Sequence, residues 1–272
     1  MTSPVVDRIR AHLHTVALLR AQRHADPVLA ERVRAVKTYQ ARRFEHTYTD
    51  LLASPRYRAA ARFFLAELYG PQEFAERDTQ FARVVPALVR IFPQEVVHTV
   101  EQLGALHALS EALDDACARH LPSGQPGAPG APGAPLDAAA YIVAWQGAGQ
   151  LQAREQQIVL TQSIGKALEG ITRSRLMRTS LRLMRGPAQA AGLGSLQRFL
   201  ESGFDAFGAM KGADDFLRWV SARERALAAA LFAPEALDRL AHAQRDGPLV
   251  RHQPQAVRRA GTRSRHENPE DP

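Results

Sequence analysis

The chain has a single cysteine, Cys117. That excludes an internal disulfide and any metal site built from paired cysteines. It fits a reducing cytoplasm, which is the expected compartment. Leu113 lies four positions before Cys117 on the same helical face, so the thiol reads as a buried, inert side chain rather than a nucleophile. Long apolar runs are also missing. None approaches the roughly 20 residues needed to cross a bilayer. The opening MTSPVVDRIRAHLH has scattered charges and no apolar stretch of leader length, so no secretory leader is expected. Period-two alternation is absent as well, which removes the usual signature of strands. No phosphate-binding G-x-x-x-x-G-K-[ST] occurs, and no G-x-S-x-G elbow. Gly203, Gly208 and Gly212 follow no strand, so they read as close-packing or helix-end positions rather than a dinucleotide loop.

What remains is a 272-residue chain, 45% hydrophobic, long enough to bury a substantial core. Its formal net charge of +7 is unevenly spread. Residues 1–56 carry ten basic and five acidic side chains, whereas residues 57–120 carry six and nine. Residues 121–233 return to twelve basic against eight acidic. An acidic middle between two basic regions favours internal pairing. A basic surface can also meet nucleic acid or acidic lipid.

Helical periodicity recurs along most of the chain. Ser3-Pro4 and Asp26-Pro27 are helix starts, with a capping side chain followed by proline at the first helical position. Tyr57, Ala61, Phe64 and Leu68 mark one helical face, which Gly70-Pro71 closes through an expected left-handed glycine. Phe74, Phe81, Val85, Leu88 and Phe92 form the next stripe, where Pro86 is expected to kink the helix. A long helix follows Pro93. Residues 122–136, PSGQPGAPGAPGAPL, can form neither helix nor strand and separate two helical sets. The last strong helix begins at Asp214 and stops at Pro234. The expected fold is all-α: a multi-helix bundle of nine or ten helices, one domain over 1–244, with a disordered basic tail over 245–272.

Several constellations could carry chemistry. Arg77 and Asp78 fall on or beside an apolar stripe, three or four positions from Phe74 and Phe81. Asp78 reads either as the N-cap of a helix starting at Thr79 or as half of an ion pair in a ligand pocket. Arg154 and Glu155 repeat the situation between Leu151 and Ile158. Cross-pairing of Arg77 with Glu155, and of Arg154 with Asp78, would join the two helical sets and could line a pocket. These four are the candidate ligand-binding residues. His98, Glu101, His107 and Glu111 share one helix, but the two histidines are nine apart and face opposite ways. That leaves His107 and Glu111, four apart, as the only candidates for part of a metal site. The default for this quartet is an exposed polar flank. A buried histidine in a helical bundle can also ligate haem, although no second feature supports that. Arg175, Arg178, Arg182 and Arg185 recur at steps of three, four and three, an arrangement suited to phosphates, nucleic acid or acidic lipid, or simply to solvation.

The strings FFLAELYGPQEFAERDTQF, RVVPALVRIFP and LHALSEALD, with LMRGPAQAAGLGSLQRFLESGFDAF further on, resemble an uncharacterised all-helical family of bacterial proteins. The resemblance covers roughly residues 20–232 apart from the Gly-Ala-Pro loop. It implies a single folded unit and carries no activity, cofactor or catalytic residue with it. The expected function is therefore a non-enzymatic helical module that binds or regulates, with no cofactor and with a protein partner or a second copy as its partner class. A metal- or haem-binding sensor or enzyme is one alternative. A binder of nucleic acid or of an anionic surface through the arginine stripe is the other.

Overall fold

The computed structural model describes residues 3–72, 74–124 and 135–245, and among these every regular element is a helix. Two long helices open the chain, α1 (Pro4–Ala25) and α2 (Pro27–Thr47). The break between them falls at Asp26, whose carboxylate accepts from the Leu29 amide while Pro27 occupies the first turn. After Tyr48 come α3 (Thr49–Ala53) and α4 (Arg58–Glu67). Next are α5 (Ala75–Ile91) and the longest helix, α6 (Gln94–Arg119). The second set comprises α7 (Ala138–Ala148), α8 (Leu151–Thr172), α9 (Arg175–Leu183), α10 (Arg185–Ala190), α11 (Gly194–Ala209), α12 (Asp214–Phe232) and α13 (Ala236–Arg245). Asp137 caps α7 and Ser174 caps α9, each accepting from a backbone amide three residues on.

The count of thirteen among the described residues exceeds the expected nine or ten because short helices follow longer ones after single-residue breaks. Tyr48 separates α2 from α3, and Met184 separates α9 from α10. Pro86 sits inside α5, which continues through it from Ala75 to Ile91. The expected left-handed Gly70 is not observed; the left-handed glycines are Gly124, Gly149, Gly192 and Gly212. Gly70 is required for a different reason: a Cβ there would lie 2.4 Å from the Ala66 carbonyl oxygen. The expected tail over 245–272 falls, beyond Arg245, outside the described residues, as does 125–134 of the Gly-Ala-Pro loop.

The two helical sets interleave. α6 of the first runs along α8 of the second, and α4 packs on α11. One apolar cluster joins Val33 and Val36 of α2 to Cys117, Tyr141, Trp145 and Leu231. A second gathers Phe44, Tyr48, Phe64, Phe207 and Phe216. A third is smaller and joins Val6 and Ile9 of α1 to Val85 and Val100. Close approaches help fix the arrangement. The ring of Phe63 reaches to 3.0 Å of where a Gly203 Cβ would stand, and Arg178 fills the space beside Gly208.

Candidate functional site

Where α2, α5, α6 and α11 converge, the chain leaves a cavity of about 150 Å³. Its apolar lining includes Phe74, Phe81, Leu88, Leu103, Phe199 and Leu200. Its polar lining is Lys37 and Gln40 from α2, Glu67 at the end of α4 and Tyr69 after it, Arg77 and Asp78 from α5, and His107, Ser110, Glu111 and Asp114 from α6. Spacing on two helices places much of the polar lining. On α2 the face Val33, Lys37, Gln40, Phe44 repeats at four, three and four, so two polar side chains sit in an apolar row and are buried with it. On α6 the face Gly104, His107, Glu111, Asp114, Ala118 does the same.

The polar groups are paired with one another. Glu111 accepts from both Arg23 and Lys37, and Arg23 donates further to the Glu111 carbonyl at 3.1 Å. Burial pushes the Glu111 carboxyl up, but the two adjacent cations more than reverse this and hold it at about 2. Asp115 takes Arg23 Nε at 3.4 Å and Arg119 Nε at 2.7 Å. Asp114 accepts from the Gln40 amide at 2.9 Å. Burial raises its carboxyl above the usual range, and Lys37 and Arg154 only partly oppose that.

Of the four candidate ligand-binding residues, two line this cavity. Arg77 donates to Glu67 at 2.6 Å, and its guanidinium lies 3.8 Å from the ring centre of Phe74 and 4.3 Å from that of Phe199. Asp78 is within the first turn of α5, not its cap; Phe74 holds the cap position without a side-chain bond. One oxygen of Asp78 takes Arg20 at 2.9 Å and lies 3.0 Å from His107 Nε2. Burial raises the Asp78 carboxyl, yet His107, Arg20 and Arg77 together bring it below its ordinary value.

The expected cross-pairs do not form. Arg154 is buried over Trp145, 4.0 Å from the ring centre, and donates to Gln157 at 3.3 Å and to the Leu113 carbonyl at 3.4 Å. It lines a second, smaller cavity of about 30 Å³, which shares only Tyr69 with the first. Glu155 is exposed and held by Arg225 at 2.7 Å. Adjacent residues on a helix point about 100° apart, so burying Arg154 turned Glu155 outward.

The expected exposed flank on α6 is corrected for three of its four members, of which Glu111 is buried and Glu101 and His107 are partly buried. Glu111 is buried, 9% exposed, and saturated by two cations, and His107 is held by Asp78. His98 is exposed, and Glu101 pairs with Arg8. Among the described residues no group of three or more His, Cys, Asp or Glu is arranged to hold a metal ion. Cys117 is buried, and its thiol is pushed up to about 12 by burial. Two members of the arginine stripe lean on α11: Arg185 grips Glu201 at 2.8 and 3.0 Å, and Arg178 stands 3.8 Å from Asp205. Arg175 and Arg182 are exposed.

A family model covers residues 19–237, both helical sets and every residue that lines the cavity apart from Leu13. The chain belongs to DUF8198, a domain of unknown function. That agrees with the expected uncharacterised, all-helical family. No curated protein and no solved structure matches the chain. Among the described residues of this DUF8198 protein, no helix is long and apolar enough to cross a membrane.

The residues that sequence reasoning missed are Arg23, Lys37, Gln40 and Asp115. The signal was present: Lys37 and Gln40 interrupt the buried face of α2 at helical spacing, and Glu111 and Asp114 interrupt that of α6. Two polar interruptions at helical spacing on two helices that pack together mark a buried network.

Proposed function

We propose that this DUF8198 protein is a non-enzymatic binding module. It takes a small molecule with an apolar body and one hydrogen-bonding head into the cavity between α2, α5, α6 and α11. The observation that carries this reading is the mixed lining: aromatic and leucine side chains together with hydrogen-bonding groups of α2 and α6 in one cavity. A cavity of about 150 Å³ suits a ligand the size of a single aromatic ring rather than a drug-sized molecule. The pre-paired charges support recognition over covalent chemistry. Glu111 and Asp78 are already engaged by cations, and Cys117 stays protonated across neutral pH.

The test is calorimetry and thermal shift with ring-sized probes, phenol and benzyl alcohol. Both are expected to bind, and Leu103→Trp, which places bulk inside the cavity, is expected to abolish binding while the protein stays folded. Absence of binding by either probe, or full binding by the Leu103→Trp protein, overturns the reading. Arg77→Ala separates roles: weaker probe binding marks Arg77 as part of the site, and a lowered melting temperature with intact binding marks it as structural.

A further inference from the structure

Between Glu169 and Glu201 the chain has no acidic residue and carries six arginines. The middle of this stretch is α9, nine residues long, in which no side chain is fully buried. Its apolar residues face two ways. Met177 and Leu181 are partly covered by the body of the protein. Leu176 and Leu183 are 75% and 73% exposed, and Met184, just past the helix, is 52% exposed. Leu176 and Leu183 are seven apart and so share one outward face. Arg175 and Arg182, also seven apart, form the neighbouring row about 100° around the helix. Both are exposed, and neither forms a salt bridge among the described residues, although Arg182 is within electrostatic reach of Glu201; Arg173, Arg178 and Arg185 each form one.

We propose that the outward face of α9 is a docking surface for an anionic lipid bilayer. Isolated exposed leucines are ordinary on a soluble protein. Two leucines in register, extended by a methionine and edged by exposed guanidiniums, make the pattern of an interfacial helix: aliphatic side chains enter the acyl boundary while arginines meet the headgroups. The charge row names the occupant as anionic. The aliphatic row selects lipid over nucleic acid, because a phosphate backbone has no use for exposed leucines and a single-stranded base asks for an aromatic platform, which α9 lacks. None of these residues lines the cavity, so the two proposals stand or fall separately.

The experiment is flotation of the full chain with vesicles of phosphatidylcholine alone or mixed with phosphatidylglycerol. Binding is expected only with phosphatidylglycerol present, weakening as salt rises. Leu176→Glu combined with Leu183→Glu is expected to reduce binding at least tenfold, since two buried leucine contacts are lost and two like charges are added. Arg175→Ala and Arg182→Ala are each expected to weaken it about fivefold. Helical circular dichroism and melting temperature should match wild type in every variant, because the changed side chains are exposed. Equal binding to neutral vesicles, no binding at all, or retained binding by the double-glutamate protein overturns the proposal. So does tighter binding to duplex or single-stranded nucleic acid that ignores the leucines. A wild-type dimer that the double-glutamate change dissociates, with no lipid binding, reassigns the face to a second copy of the chain.

Discussion

Glu111 is the most informative single residue to change. Its carboxylate holds two buried cations, Arg23 and Lys37, that reach it from different helices. Glu111→Gln keeps the shape and removes the charge. In the folded protein Glu111 titrates at about 2, against an ordinary value of 4.5. That gap corresponds to about 3 kcal/mol at about 1.4 kcal/mol per pH unit. The figure agrees with the roughly 3–5 kcal/mol typical of breaking a buried ion pair from one side. The sign follows from the direction. A carboxyl with a depressed folded pKa stabilises fully above 4.5 and loses that contribution as pH falls towards about 2. Glu111→Gln should therefore lower the urea-unfolding free energy by about 3 kcal/mol at neutral pH, or the melting temperature by roughly 6–12 °C. Between pH 4.5 and about 2 the gap to wild type should close, because the unfolded chain takes up a proton there that folded Glu111 does not bind until about pH 2. A variant as stable as wild type at neutral pH refutes the reasoning. So does a gap that stays constant as the solution is acidified, since the loss would then be steric. Replacing Arg23 and Lys37 with methionine and Glu111 with leucine together should cost less than leaving the two cations facing an uncharged partner, with Asp115 keeping Arg119 and Asp114 keeping Gln40.

Asp114 should behave in the opposite sense. Its folded pKa lies above the ordinary 3.8, so its contribution to stability falls as pH climbs through the raised value; Asp114→Asn should remove that arm of a stability-versus-pH curve and be neutral or stabilising at pH 7, and clear destabilisation at pH 7 counts against the assignment. Gly165→Ala should destabilise despite alanine's better helix propensity, by about 1–2 kcal/mol in urea unfolding, because a Cβ there would stand 2.4 Å from the buried Leu217 side chain; a stabilised variant would mean that Leu217 swings clear.

The helices and much of the core were legible in the sequence because their causes are local. Ser3-Pro4 and Asp26-Pro27 announce helix starts, and the structure places both at caps, Asp26 with a side-chain bond to the Leu29 amide and Ser3 without one. Phe44, Phe64, Phe207 and Phe216 recur at helical spacing and are buried together. The pairing of charges was not legible, because it depends on how helices cross. The cation on Asp78 comes from Arg20, 58 residues earlier, and that on Glu111 from Arg23, 88 residues earlier. Placing Arg154 and Glu155 at one buried site could have been rejected from helical geometry alone, since neighbouring side chains diverge. Arg77 and Asp78 are neighbours too, yet both line the cavity, so one turn of α5 supplies both.

The position of the polar cluster bears on function more than its strength does. Buried ion pairs seldom beat well-packed apolar side chains of equal volume, and an open space beside them forgoes packing as well. A core selected for stability alone would fill the gap beside Leu103 and Phe199 and replace Lys37, Glu111 and Asp114 with aliphatic residues. Both departures occur side by side in this protein, on the same faces of α2 and α6. If they were unrelated packing faults, filling the gap and neutralising the cluster would stabilise the fold independently. If they serve one ligand, the two changes should each abolish its binding, and a bound probe should protect Asp114 and Leu103 together. Measuring probe affinity in Leu103→Trp, Asp114→Asn and the double variant distinguishes the cases. Near-complete loss in each single variant, with little further loss in the double, is the result expected of one site.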